Sequence, residues 1–373
     1  MKRFLLPLLA LILLLAGCAS AGRNDADRAP VIPGYGEPER VSLDAARCFS
    51  IWRWDNGASM VRTSGGQAFL ITDDKPEELD AGITVIPPSP ERIYMAASAV
   101  MCFWDAMDRL GDIRFSALEA EDWTVEGARE AMERGEILYA GKYREPDYEL
   151  LLSEGCGLSI QSTMSEHVPK VREKLEELGI PVFVDRSSYE ADPLARCEWI
   201  RAYAEIAGCP ETGEALFAEQ KAAFDSLADA PSSGKTAVFF YVTASGSFVT
   251  RKNGDYISKM IGLAGGENVF AFEGEDNALS SVTLSPEEFV LAAKDADIIL
   301  YNGTISGILY TMDELVSLNP LLADFRAVKN GDVWCTEANL YQNIMKTGEI
   351  LHDFHAVFAD TGEPLTYLHK LEG

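Results

Sequence analysis

DPLARCEWIRAYAEIAGCPETGEALFAEQKAAFDSLADA, residues Asp192–Ala230, is the stretch on which the division of the chain turns. In its first half, Pro193–Ala207, the residues Leu194, Cys197, Ile200, Tyr203 and Ala204 recur at helical spacings of three and four. Gly208-Cys209-Pro210 interrupts that pattern, and Pro210 suits the opening position of a second helix. The second run, Glu211–Asp229, carries Leu216, Phe217, Phe224 and Leu227 as an apolar stripe. Glu211 and Glu214 fall in its first turn, where a helix dipole favours acids. A helix of that length reaches roughly 28 Å, the width of a small domain. Strand and helix signals precede this region and begin again after it. Periodicity alone allows two readings: a stiff connector between two lobes, or a surface helix inside one large domain.

The chain has 373 residues, enough for two lobes with separate cores. Hydrophobic content of 47% with 24% charged residues is that of a globular protein. Acids outnumber bases 59 to 32, a net charge of -27, which argues against nucleic acid as a partner. Met1-Lys2-Arg3 followed by the apolar run Phe4–Ala16 reads as an export signal, too short for a membrane-spanning helix. It leads into Leu15-Ala16-Gly17-Cys18, which resembles the lipobox of bacterial lipoproteins. That resemblance implies cleavage before Cys18, lipid on that residue, and an extracytoplasmic protein held to the membrane. The alternative is an ordinary signal peptide with a chance cysteine. Residues 18–40 then read as a lipidated tether rich in small and polar residues. The remaining cysteines are scattered without a CxxC pair, so no zinc ribbon and no specific disulfide is expected.

Residues 47–72 alternate in polarity around Asp55-Asn56-Gly57, a β-hairpin signal that assigns residues 41–88 to an N-terminal β-hairpin region. From Arg92 to Val184, strands of about four residues alternate with helices, which implies a parallel α/β sheet. The pattern restarts at Ala237–Val242 and continues to a final helix over Gly348–Phe358. The fold class is therefore α/β: two parallel-sheet lobes, residues 89–208 and 231–373, joined by a connector helix over 209–230 and preceded by an extra hairpin.

Several dispersed stretches, in order, resemble the substrate-binding lipoproteins of ABC importers for iron-siderophores, haem and cobalamin. They are Pro90-Glu91-Arg92-Ile93-Tyr94 with Ser98, Gly141–Glu149, Leu178-Gly179-Ile180-Pro181-Val182, Ala264-Gly265-Gly266-Glu267-Asn268-Val269, Asp295-Ala296-Asp297-Ile298-Ile299, Asn319-Pro320, and Ala327–Val333. Gly155-Cys156-Gly157 departs from the family's Pro-Asp, and the 47–72 hairpin precedes its usual start. The resemblance implies the class III periplasmic-binding-protein fold: two lobes with ligand in the cleft between them, a small hinge motion, and no enzymatic activity. It also implies a monomer working with ABC permease and ATPase subunits. Glu149 and Glu287, one on each lobe, match the glutamates by which the family docks to its permease.

Ligands of open α/β sheets bind beyond the carboxyl ends of the strands. The candidate cleft residues are Ser98, Lys142, Tyr143, Arg144, Gln161, Thr163, Arg186, Tyr189 and Arg196 from the first lobe. Phe248, Arg251, Lys252, Tyr256, Asn302, Thr304 and Tyr341 come from the second. Cations beside aromatic rings suit an anionic chelate, because arginine forks onto carboxylates and stacks on planar groups. An iron-siderophore is the first expectation, haem or cobalamin the alternative, and an exported enzyme or adhesin on the same fold the remote one. Salt bridges to Glu145, Asp185 or Asp255 are the plainer use of the same cations. No resident cofactor is expected. His352 and His355 have a metal-compatible spacing but lie outside the expected cleft, so no metal site is assigned.

Overall fold

The computed structural model describes residues 29–270, 272 and 281–373. Cys18 and the export signal lie outside the described residues. The first unit is a five-stranded sheet, β1 (Glu39–Arg40), β2 (Phe49–Arg53), β3 (Ser59–Thr63), β4 (Ala68–Ile71) and β5 (Ile83–Ile86), in sequential order. Asn56-Gly57 turns β2 into β3 as expected, with Gly57 at φ 85°. The hairpin expected for 41–88 is thus the centre of a larger sheet. The short β1 and the parallel β5 have no period of their own to announce them. Alternate residues face two cores: Ile51, Val61, Phe69 and Ile71 face the first lobe, while Trp52, Met60 and Leu70 face outward. Ile32 and Tyr35 cover that outer face, so the stretch read as tether is packed structure from Ile32 onward.

The first lobe contains β6 (Ile93–Met95), α1 (Met101–Ala106), β7 (Ile113–Ser116), α2 (Glu126–Glu133), β8 (Leu138–Tyr139), β9 (Gly141–Lys142), β10 (Glu145–Pro146), α3 (Tyr148–Ser153), β11 (Leu158–Ser162), α4 (Pro169–Glu177) and β12 (Val182–Asp185). Its sheet is parallel, in the order β12-β11-β6-β7-β8. Two helices follow, α5 (Pro193–Ile206) and α6 (Pro210–Ser226). The second lobe contains β13 (Thr236–Val242), β14 (Phe248–Arg251), α7 (Tyr256–Leu263), β15 (Glu267–Asn268), β16 (Ser281–Leu284), α8 (Pro286–Ala293), β17 (Ile298–Tyr301), α9 (Gly303–Ser306), α10 (Met312–Leu318), α11 (Arg326–Asn330), β18 (Val333–Thr336), α12 (Thr347–Ala359) and β19 (Leu368–Lys370). The sheet runs β16-β14-β13-β17-β18-β19, with β15 also on β13. Its centre, β13, β17 and β18, is parallel as expected, but β14, β16 and β19 are antiparallel additions.

Helix α5 starts where the sequence places it. Asp192 accepts from Leu194 N at 2.9 Å, and Pro193 occupies the first turn. It ends at Gly208, whose φ of 68° favours glycine. The apolar stripe understates its burial, however. α5 lies between the added sheet and the first-lobe sheet, with Trp199 4.8 Å from Phe49 and 6.4 Å from Phe183. Tyr203 packs on Phe103, Trp104 and Phe183. Glycine at 213 lets α6 close on the remaining side, since a Cβ there would collide with the Ala204 methyl.

Charges inside this sandwich are matched to backbone donors. Glu198, fully buried, accepts from the amides of Asp44, Ala45 and Ala46 at 2.7, 2.8 and 2.7 Å and pairs with Arg201 at 2.9 Å. Glu190 accepts from Cys48 N at 2.7 Å and from Trp199 Nε1 at 3.1 Å. Gln67 donates to Val182 O at 2.7 Å and accepts from Val184 N at 2.9 Å, standing in for a strand beside edge strand β12.

Glu198→Ala should lower the unfolding free energy by about 2–4 kcal/mol, because it removes the acceptor of three backbone amides, that of Ala46 buried, and leaves Arg201 only Glu214 and Ser42 O. Glu198→Gln should cost less, and urea denaturation of both variants checks the order. Burial also pushes the Asp185 and Glu190 carboxyls above their ordinary range, despite the Tyr203 hydroxyl on Asp185 at 2.6 Å. The folded state therefore binds more protons than the unfolded state just above the ordinary carboxylate pKa, and stability falls as pH rises through the raised values. Thermal midpoints should rise on acidification from neutral to about pH 5, and Asp185→Asn should flatten that rise.

Candidate functional site

Loops after the parallel strands β17 and β18, the end of antiparallel β14 and the start of α5 bring part of the expected set together between the lobes. Tyr341 Oη accepts from Arg251 Nη2 at 2.7 Å and from Asn302 Nδ2 at 2.9 Å. Asn302 is fully buried directly after β17, and its Oδ1 has no hydrogen-bond partner among the described residues. Arg251 Nη1 lies 3.8 Å from Asp255 Oδ2. Burial raises the Asp255 carboxyl, and the charge of Arg251 opposes that rise. Burial likewise raises the Tyr341 phenol, which Arg251 counteracts. Arg196, from the first turns of α5, reaches across the lobes and stacks 3.6 Å from the Tyr256 ring centroid. It also donates to Ser188 O at 2.8 Å. Thr304 Oγ1 donates to Glu337 O at 3.0 Å, which fixes the next loop.

Other members of the set stand elsewhere. Phe248 is fully buried and stacks on Phe289 at 4.1 Å, so it belongs to the second-lobe core and not to a cleft wall. The pleat decides this, because Phe248 faces the same side as the buried Phe240. Gln161 is also fully buried, and its amide donates to Ser159 Oγ inside its own lobe. Arg186 is ion-paired with Glu166, lies against Gly65 of the added sheet, and rests on the Tyr189 ring. Its charge is therefore spent within the first lobe. Lys252 is half-buried and already partnered. Ser98 and Thr163 open half-buried turns after β6 and β11. Lys142 and Arg144 are exposed on the β9–β10 hairpin with Tyr143 between them, and neither cation makes an ion pair among the described residues.

The arrangement offers hydrogen-bond donors, cations and ring faces. Two open grooves of about 440 and 540 Å³ lie instead on the added sheet around Asp80 and Ile83, away from these strand ends. Among the described residues no three His, Cys, Asp or Glu side chains are grouped to hold a metal. His352 contacts Ser226 and Ala223 O, and His355 contacts Ala264 O.

The two expected docking carboxylates are both exposed. Glu149 is in the first turn of α3, which Asp147 caps. Glu287 is in the first turn of α8, while its neighbour Glu288 is engaged in a capping box with Ser285. The cap thus occupies the Glu288 carboxylate. Sequence reasoning missed Thr124, whose bonds to Gln342 join the lobes across 218 positions of chain. No local pattern carries such a contact.

A family model described as periplasmic binding protein matches residues 120–340, more than half of the chain. The chain belongs to the periplasmic binding protein family. Members of this family bind small-molecule solutes outside the cytoplasm and work with ABC permease and ATPase subunits; they are binding proteins, not enzymes. An uncharacterized lipoprotein of Methanocaldococcus jannaschii is 23% identical over 310 residues, covering 78% of this chain and 72% of its own length. A periplasmic haem binding protein from Pseudomonas aeruginosa superposes with a TM-score of 0.59 at 17% identity, covering 76% of this chain and 99% of that one. The haem binding protein HutB of Vibrio cholerae gives 0.58 at 19% identity, covering 73% and 99%. At these identities the two structures establish the fold, which is the class III arrangement. In this periplasmic binding protein the five-stranded sheet lies ahead of the matched region.

Proposed function

We propose that this protein is the lipid-anchored solute-binding subunit of an ABC importer and that its cargo is an anionic metal chelate, an iron-siderophore first. The observation that carries this reading is the placement of positive charge. In a chain of net charge -27, Lys142 and Arg144 stand exposed at a strand-end loop. Arg251, Asn302 and Tyr341 form a connected donor cluster on the opposing lobe. Such groups hold the carboxylate or catecholate oxygens of a chelate by charge-assisted bonds. A tetrapyrrole, haem or cobalamin, is the second reading. The Arg–Tyr stacks favour it, since they present planar faces, and haem is the cargo named for the structural neighbours. No bond is made or broken in either case. Cargo is captured, the lobes adjust, and Glu149 and Glu287 dock the loaded protein on basic pockets of the permease. Cys18 supplies the anchor, and the protein acts as a monomer.

Tryptophan-fluorescence titration against ferric siderophores, haem and cobalamin should find one ligand with Kd under about 10 μM. Replacing both Lys142 and Arg144 with alanine should weaken it about tenfold, the size of one or two lost charge-assisted bonds. A panel in which nothing binds removes the chelate assignment. Glu149→Lys with Glu287→Lys should abolish cellular uptake while leaving that Kd unchanged; normal uptake by the double variant removes the docking role.

A further inference from the structure

The lobes meet at one side chain that neither the donor cluster nor the connector helices include. Gln342 Oε1 accepts from both Thr124 N at 2.8 Å and Thr124 Oγ1 at 2.9 Å, and its Nε2 donates to Asp122 O at 2.8 Å. Both ends of the amide are therefore used, and both on the first lobe. Thr124 lies between the turn Ala120–Asp122 and α2. Two further inter-lobe contacts come off α5 instead: Arg196 on Tyr256, and Cys197 Sγ, 3.3 Å from Ile344 O. Gln342 thus ties the second lobe to a separate point of the first.

Its neighbours in the chain give this tie a consequence. Tyr341, one residue before, holds Arg251 and Asn302 in the second lobe. Ile344 and Met345, just after, are buried in the core that α1 and α5 share. The segment 341–345 is therefore fixed to the second lobe at one end and to the first at the other. A hydrogen bond weakens steeply beyond its ordinary length and angle, so three bonds from one planar amide specify one spacing between the lobes.

We propose that Gln342 is a positioning residue: its clasp on Thr124 and Asp122 sets the spacing of the lobes and, through the adjacent Tyr341, the orientation of Arg251 and Asn302 toward cargo. The clasp is a property of the protein alone. Its effect on cargo rests on the solute-binding reading above.

Two measurements on the full chain separate these parts. Gln342→Ala should speed hydrogen exchange at the Thr124 amide at least about fivefold, as loss of one net hydrogen bond requires. Gln342→Glu keeps an acceptor for Thr124 but loses the donor to Asp122, so it should restore protection at Thr124. Spin labels on non-natural side chains at Lys170 and Lys259 should report a broader inter-lobe distance distribution for Gln342→Ala. Unchanged exchange and an unchanged distribution overturn the clasp. Should Gln342→Ala fail to fold, Thr124→Val removes the hydroxyl bond alone and should broaden the distribution less; no broadening there overturns it equally. The second measurement is titration with haemin and with a ferric catecholate siderophore. A wild-type Kd that Gln342→Ala raises at least about threefold supports the coupling, on the scale of a lost hydrogen bond. A Kd unchanged by Gln342→Ala overturns it. A wild-type protein that binds neither probe defeats the solute assignment, while the exchange result still decides the clasp.

Discussion

The structure depends on how α5 is buried. A helix covered on every side has no water to solvate its charges, so each charged group must find a partner inside the protein. Glu198 meets that requirement with three consecutive backbone amides from the segment ahead of β2, and with Arg201 one turn on. Glu205 does so with Arg53 of β2. The same bonds that make burial tolerable thus fasten the added sheet to the first lobe. Trp199 and Tyr203 fill the space between the two sheets with aromatic contacts. The added sheet is consequently part of the first-lobe core, and Gln67 uses it to close the exposed edge of β12.

This burial also bears on the site. Arg196 leaves α5 at the end nearest the second lobe and reaches Tyr256, so the helix that organises the first core also contacts the donor cluster's surroundings. With α5 immobilised by its packing, the first-lobe loops are presented from a rigid base. The paired arginines contribute geometry more than free charge. Arg186 is spent on Glu166, and Arg251 shares its charge with Asp255. Lys142 and Arg144 differ: among the described residues neither makes an ion pair, although Glu145 stands on the same short hairpin. In a strongly acidic protein, such uncompensated cations are where a negative ligand gains most from approaching.

The two lobes are connected in ways of different character. Packing around Ile344 and Met345 is apolar and non-directional, whereas the Gln342 amide is directional and partly open to solvent. An apolar contact tolerates small shifts that a three-bond amide does not. A shift of one lobe against the other would strain the Gln342 amide before the apolar packing.

Much of the fold was legible from the amino-acid sequence because it is local. The strand and helix alternation from Arg92 onward, the Asn56-Gly57 turn, the Pro193 and Pro210 helix starts and the capped position of Glu149 all follow from neighbours in the chain. The family resemblance rested on such local stretches, and the matched family bears it out. Tertiary structure alone decided what depends on distant partners. It placed Phe248 and Gln161 in cores, because pleat orientation relative to a covering layer is not written in a four-residue strand. It turned a hairpin into a five-stranded sheet, and an amphipathic stripe into a helix buried all round, because the covering surfaces come from segments more than a hundred residues away. It joined Thr124 to Gln342, since a hydrogen bond across the lobes depends on the distance between folded surfaces and leaves no period in the sequence.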